Sequence, residues 1–299
     1  MYDCIIIGGG IAGITAGIYL KNANKKVLII EKSAMGGILN KISKIENYPG
    51  FKSVSGPDLA YELYQQAKYN NIEIMLDTVL AVSNQENYNI VKLKEKELKS
   101  KFIILATGKE ARKLNLENED KLIGKGISYC ALCDGNFFKG KDVCVIGAGD
   151  SAVLEALYLS NICSNVTIIN KYPFFKCKES QLNELNKKNN IKVLYESITK
   201  KLNEENGFLK SITYVKDDQE YELQVSGAFV YIGSTPNIFA SLNLDLDKNY
   251  IKVNSNMQTS INNIYAIGDV IKKDIYQLVN AASEGMQAAH DIIKRLNEE

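Results

Sequence analysis

Residues 4–13 read Cys-Ile-Ile-Ile-Gly-Gly-Gly-Ile-Ala-Gly, and the organisation of the chain follows from that stretch. Cys4 to Ile7 make a short apolar run of the kind buried on both faces of a parallel strand. Gly8, Gly10 and Gly13 then fall at the spacing of a strand-turn-helix unit, whose helix is expected to run to about Lys21. The first glycine permits the tight turn, the second lets a pyrophosphate approach the backbone, and the third lets the helix pack on the strand. A second apolar run, Val27 to Ile30, ends at Glu31, 21 residues beyond Gly10. An acid at that place bonds the ribose hydroxyls of an adenosine.

The pattern returns in mid-chain. Val143 to Ile146 form a strand, Gly147, Gly149 and Ala152 fill the three glycine places, and Val166 to Ile169 lead to Asn170, again 21 residues past the middle glycine. The chain therefore contains an internal duplication, with a neutral amide where the first copy has an acid. Phe102 to Leu105 run into Ala106, Thr107 and Gly108, and Phe229 to Ile232 run into Gly233, Ser234 and Thr235, each closing one copy. Ile264 to Ile267 lead to Gly268 and Asp269, followed by a helical stretch from about Val279 to Leu296. An acid just after a buried strand is placed to hold a ribitol hydroxyl, the plainer reading being a turn or cap residue. The expected fold is α/β, two Rossmann-like nucleotide-binding domains of the three-layer ββα type, the second inserted into the first. The expected boundaries are 1–115 with 245–299 for the outer domain and 116–244 for the inserted one.

Composition narrows the function. The 299 residues, 45% apolar, suffice for two packed cores. Lysine and arginine number 36 against 35 acids, so there is no basic field to hold nucleic acid or an anionic membrane. Asp3 and five glycines break up the apolar first twenty residues, which read as a buried strand and turn and not as a signal peptide. Charged residues interrupt every other apolar stretch before the roughly 20 residues a bilayer requires. A soluble, cytoplasmic protein is expected, with no nucleic-acid or membrane partner. Of six cysteines, Cys4, Cys144, Cys163 and Cys177 stand alone and read as small buried hydrophobes. The sole histidine is His290 and there is no second CxxC, so no metal site is expected.

Cys130-Ala131-Leu132-Cys133 is followed by Asp134 and Gly135. Two thiols at this spacing on the first turn of a helix can close a small disulfide, and a helix N-terminus stabilises a thiolate. Asp134, beside the second sulfur, is placed to deliver or remove a proton, the alternative being a simple cap. Cys130, Cys133 and Asp134 are the candidate catalytic residues.

Together these residues resemble the low-molecular-weight thioredoxin reductases over essentially the whole chain. The resemblance is carried by Gly8 to Gly13, Gly36-Gly37 through Glu46-Asn47-Tyr48-Pro49-Gly50, Ala106-Thr107-Gly108 and Cys130 to Gly135. It continues in Gly147 to Ala152, Ile232-Gly233 with Pro236-Asn237, and Gly268-Asp269-Val270 with Gln277 and Ala281. It implies FAD in the outer domain, a disulfide in the inserted one, a homodimer, domain rotation during turnover, and reduction of thioredoxin. For FAD it implies Gly8, Gly10, Ile11, Ala12 and Gly13, with Glu31, Lys32, Gly37 and Asn47. From later in the chain it adds Ala106, Thr107, Gly108, Gly268, Asp269, Gln277 and Ala281.

Three departures stand out. Ile38 replaces a usual glutamine beside the flavin, and Tyr276 replaces a usual arginine before Gln277. Where NADPH-dependent members carry His-Arg-Arg and a further arginine for the 2′-phosphate, this chain has Asn170-Lys171-Tyr172-Pro173-Phe174-Phe175-Lys176. Losing two arginine contacts would cost about 3 to 6 kcal/mol, two to four decades of affinity. Lys171 and Lys176 restore part of that charge, as points and not as planar forks. NADH is not favoured either, because Asn170 stands where its ribose acid would be, and Pro173 with two phenylalanines suggests a crowded, apolar pocket mouth. In lacking the motif the chain is similar to the ferredoxin-dependent flavin thioredoxin reductases of anaerobic bacteria. Its richness in Lys, Asn and Ile points the same way. Reduced ferredoxin is the expected donor, with NADPH the alternative. A ferredoxin-NAD(P) reductase, which needs no CxxC, and a flavin redox sensor are the competing readings.

Overall fold

The structure, a computed structural model, describes residues 1–42 and 44–298. The chain divides into two compact units, Met1–Glu110 with Pro236–Glu299, and Ala111–Thr235. The α/β class with two Rossmann-like units is as expected from sequence.

The first unit begins β1 (Tyr2–Ile7), α1 (Ile11–Asn22), β2 (Val27–Glu31), α2 (Gly56–Tyr69), β3 (Glu73–Leu76), β4 (Ala81–Asn84), β5 (Asn89–Lys92) and β6 (Glu97–Leu105). β1 lies parallel between β2 and β6, with Cys4 opposite Val27 and Phe102. β3 extends the sheet beyond β2 in parallel, while β5 and β4 continue antiparallel from β6. Side chains alternate along a strand. Ile5, Ile7, Leu28 and Ile30 therefore enter one core, and Cys4, Ile6, Ile29 and Phe102 the other. Cover on both faces is why these strands read as unbroken apolar runs.

The chain continues through β7 (Lys109–Ala111) and α3 (Glu119–Leu122) to β8 (Ile127–Ser128), α4 (Ala131–Asp134), β9 (Asp142–Gly147), α5 (Asp150–Ser160) and β10 (Asn165–Ile169). There follow α6 (Glu179–Asn186), β11 (Ile191–Leu194), β12 (Ile198–Glu205), β13 (Phe208–Lys216), β14 (Gln219–Gln224) and β15 (Gly227–Tyr231). The second unit's main sheet is parallel, in the order β11-β10-β9-β15-β8, and β12 to β14 form an antiparallel meander. β9 between β10 and β15 repeats the placing of β1 between β2 and β6, so the sequence duplication is also a duplication of topology.

After β16 (Ser234–Pro236), β17 (Leu246–Asp247) and β18 (Tyr250–Ile251), β19 (Ile264–Ala266) joins β6 in parallel, and α7 (Leu278–Glu298) follows. A Cβ at Gly285 would stand 2.4 Å from the Ala12 carbonyl oxygen, so only glycine lets α7 lie this closely on α1. No helix among the described residues is long and apolar enough to cross a membrane. Cys4, Cys144 and Cys163 are buried; Cys177, expected to be buried, is only half-buried, because it sits between the exposed Lys176 and Lys178 in the loop before α6.

Candidate functional site

The first unit carries a cradle at the end of β1. A Cβ at Gly8, whose φ is +113°, would fall 2.2 Å from the Ala106 oxygen, and one at Gly13 would fall 2.1 Å from the Gly8 oxygen. A Cβ at Gly10, by contrast, would meet nothing nearer than the Gly36 oxygen at 4.0 Å. The outer glycines are thus fixed by packing within the protein, whereas the middle one faces open space. α1 starts at Gly10 without a side-chain cap. The first-turn N–H groups of Ile11, Ala12 and Gly13 have no place in the helix's own ladder, which suits a phosphate. These features fit the diphosphate of a dinucleotide.

Glu31 is 6% exposed and accepts from Gly9 N–H at 2.7 Å and Ser33 N–H at 3.0 Å. Ser33 Oγ also donates to it at 3.3 Å, so of about four lone-pair sites on the carboxylate one is left for a ribose hydroxyl. Gly36 N–H donates to the Gly9 oxygen at 2.7 Å, laying Gly37 (φ +55°) beside Gly10. Asn47 and Gln277, 230 residues apart, meet through a 2.9 Å side-chain hydrogen bond, and the Ala281 N–H bonds the Gln277 oxygen at the start of α7. The Ala106-Thr107-Gly108 turn is clasped by Asn237, whose oxygen accepts from Thr107 Oγ1 and whose N–H donates to Gly108 O at 3.0 Å. Lys32 is ion-paired with Glu110. Ile38 is 56% exposed, and Tyr276 lies beneath Lys109 Nζ, 3.3 Å from its ring centroid.

Asp269 lies on a single turn, Gly268–Val270, 3.9 Å from Lys273 Nζ. Lys273 in turn bonds both oxygens of Glu284, at 2.9 and 2.8 Å, and Glu284 accepts the Gly268 N–H at 2.8 Å. Burial holds the Glu284 carboxyl above the usual carboxylate range, and Lys273 opposes that shift. Sequence reasoning missed this pair. The available signal was an acid on the apolar face of an amphipathic helix, three residues after Ala281 and one before Gly285.

The second unit repeats the cradle. A Cβ at Gly147 would fall 2.3 Å from the Tyr231 oxygen, one at Gly149 meets only the Lys176 oxygen at 3.9 Å, and α5 also starts without a side-chain cap. Asn170 is fully buried, with Oδ1 accepting from Tyr172 N–H at 2.8 Å and Nδ2 donating to Phe174 O at 3.0 Å. Its amide is taken up in closing the turn that follows. Phe174 is 54% exposed, stacked on Tyr172, so it stands out on the surface. Lys171 and Lys176 flank the Tyr172 ring at 5.0 and 4.0 Å and lower the pKa of its hydroxyl.

Cys130 and Cys133 are joined in a disulfide. Cys130 is buried and caps α4, accepting from Cys133 N–H at 3.1 Å, while Cys133 is exposed. α4 has only four residues, so the expected help from a helix dipole reduces to this local N–H. Asp134 accepts from Ser128 Oγ at 2.6 Å and does not cap the helix. A cavity of about 60 Å³, room for a few waters, is lined by Ser128, Asp134, Phe137 and Phe138 among others. Phe137, at the same rim, is 76% exposed. Tyr231 Oη accepts from Ala131 N–H at 2.8 Å, a support that spacing alone did not disclose. No cluster of metal-ligating side chains occurs among the described residues.

Residues 2–285 match the family described as pyridine nucleotide-disulphide oxidoreductase. The chain is 38% identical to a thioredoxin reductase of Bacillus subtilis over 98% of its own length and 94% of the relative's. It is also similar to the crystal structure of Lactococcus lactis thioredoxin reductase, at 33% identity, with full coverage of both chains and a TM-score of 0.94. A more distant likeness is to a ferredoxin-flavin thioredoxin reductase from Clostridium acetobutylicum, at 28% identity, covering 100% of this chain and 99% of that one, with a TM-score of 0.56.

Proposed function

The chain belongs to the pyridine nucleotide-disulphide oxidoreductase family, is an FAD-binding flavoprotein of thioredoxin reductase type, and on that premise we propose that it reduces thioredoxin through Cys130 and Cys133 with reduced ferredoxin as electron donor. The observation that carries the reading is the Cys130–Cys133 disulfide, with an exposed second sulfur and a carboxyl held beside it by Ser128.

In this reading the outer unit, with the cradle of Gly8, Gly10, Ile11, Ala12 and Gly13, holds the FAD diphosphate. Glu31 takes a ribose, and Asp269, steadied by Lys273 and Glu284, takes a ribitol hydroxyl. The Ala106 to Gly108 turn, Gly37, Asn47, Gln277 and Ala281 complete the site. When bound, FAD supplies the electron pair that opens the disulfide. One thiolate of the pair then attacks the disulfide of thioredoxin, and the other sulfur resolves the mixed disulfide, releasing a dithiol partner and restoring Cys130–Cys133. Asp134, bordered by a cavity with room for water, passes the protons. Exposed Phe137 offers an apolar contact for a protein partner. Likeness to thioredoxin reductases supports a homodimer.

For the donor, the buried amide of Asn170 and the lack of any arginine in residues 150–235 speak against a nicotinamide nucleotide, and the likeness to a ferredoxin-flavin enzyme supports ferredoxin. The second reading, NADPH, rests on the intact turn at Gly147 and Gly149 and on the two lysines beside Tyr172. An anaerobic titration of the yellow protein separates them. Reduced ferredoxin is expected to bleach the flavin; bleaching by stoichiometric NADPH would overturn the donor. Retention of thioredoxin reduction in both Cys130→Ser and Cys133→Ser would overturn the function itself.

A further inference from the structure

Glu155 has no role in that chemistry, yet it sits on the buried face of α5, 8% exposed, with Oε2 lacking any hydrogen-bond partner. Burial raises its pKa from the ordinary 4.5 to about 7. α5 packs against β9, β10, β15, α4 and α6. Asp142 of β9 and Glu179 and Glu184 of α6 are exposed, and Cys144 of β9 faces a different core cluster. The remaining ionisable groups of these elements are Tyr231 of β15 and Cys133 and Asp134 of α4, with Cys130 at the cap of α4.

Tyr231 connects them. Its oxygen takes the N–H of Ala131, next to Cys130, and its pKa is raised by burial first, then by the charge of Glu155 and, more weakly, of Asp134. The hydroxyl is therefore within electrostatic reach of both acids.

We infer that Glu155 is a positioning residue for the redox pair, a site that takes up a proton when Cys130–Cys133 is reduced and gives it back when the disulfide re-forms, with Tyr231 linking it to the Cys130 end of α4. The inference rests on the reading of this pair as a cycling disulfide. Reduction adds two electrons, breaks the S–S bond and, with one proton from solvent, leaves a thiol and a thiolate. The thiolate adds one negative charge at α4, which packs against the helix carrying the buried Glu155 carboxylate, whose Oε2 has no hydrogen-bond partner. A second solvent proton, bound by the Glu155 carboxylate, returns the region to its former charge; reoxidation releases both protons with the electron pair.

The test uses the FAD-loaded enzyme equilibrated anaerobically with mixtures of reduced and oxidised dithiothreitol between pH 6 and 9. The redox state of Cys130 and Cys133 is read by alkylation and peptide mass. One extra proton changes the equilibrium constant by up to about tenfold per pH unit. The ratio of the wild-type constant for reduction to that of Glu155→Gln is expected to fall by about three- to tenfold as pH rises through the unit above 7. Tyr231→Phe should lessen the same trend, and it serves as the readout if Glu155→Gln loses its flavin or its cooperative melt. A pair that cycles with a pH profile unchanged in the folded variant overturns this inference alone. A pair that cannot be reduced and reoxidised at all overturns the functional reading with it.

Discussion

Ser128 Oγ donates to Asp134 Oδ2 at 2.6 Å and accepts the Cys130 N–H at 3.0 Å, so one hydroxyl ties the acid to the backbone of the first cysteine. Removing the acid should cost far more than removing its support. Asp134→Asn is expected to lower thioredoxin-linked turnover by about 10² to 10⁴. Ser128→Ala, which loses one hydrogen bond to a charged group, should lower it by about tenfold to a hundredfold at most. Steady-state rates at matched flavin content decide the order, and equal losses would refute it.

The glycines of the first cradle make separable predictions. Gly13→Ala sets a Cβ against the Gly8 carbonyl, an overpacking cost of about 1 to 3 kcal/mol or more, so the variant should melt early. Gly10→Ala meets no protein atom closer than 4.0 Å and should keep its melt without flavin while losing bound FAD. Absorbance at the flavin band and a thermal melt of the stripped proteins measure the two effects.

Lys273 and Glu284 form a nearly buried pair, with side chains 11% and 10% exposed. Glu284→Ala leaves the lysine only its longer 3.9 Å contact with Asp269 and leaves the Gly268 N–H unpaired, for an expected loss of about 3 kcal/mol. Lys273→Met combined with Glu284→Leu should recover much of that stability but not the placing of Asp269, so flavin affinity stays low. Denaturant melts beside flavin titration would show the split.

Glu155 makes stability depend on pH. The native state keeps this proton up to about pH 7, whereas an unfolded glutamate gives it up near 4.5. Between those values the native state binds more protons, so this group's contribution falls as pH rises. Glu155→Gln should therefore gain on wild type by up to about 3 kcal/mol on going from pH 4 to pH 8. Urea melts of both proteins at the two pH values check it, and a constant difference would contradict the shift.

Much of this was legible in the chain because its signals are local. Four-residue apolar runs stopped by glycine mark β1 and β9, and the 21-residue step to Glu31 and Asn170 marks the ends of β2 and β10. The CxxC pair declares itself by spacing. The meander β12 to β14 was not read, since strands such as Ile198–Glu205 mix apolar with charged residues and alternate poorly. Nor was the use of Asn170 read. A neutral residue at a ribose position suggests a lost ligand, but its contact with Phe174 O shows an amide employed in closing its own loop. Ser128, Tyr231, Lys273 and Glu284 act through contacts with chain-distant groups or on elements whose burial only the tertiary fold creates.

The seating of Gly285 on Ala12 also sets an order for biosynthesis. Residues 1–105 emerge from the ribosome with the core between their sheet, α1 and α2 still incomplete, since the helix that completes it is translated only after residues 111–235. Residues 111–235, contiguous in the chain, can fold first, so a nascent polypeptide would carry its finished exchange module before it has anywhere to store a cofactor.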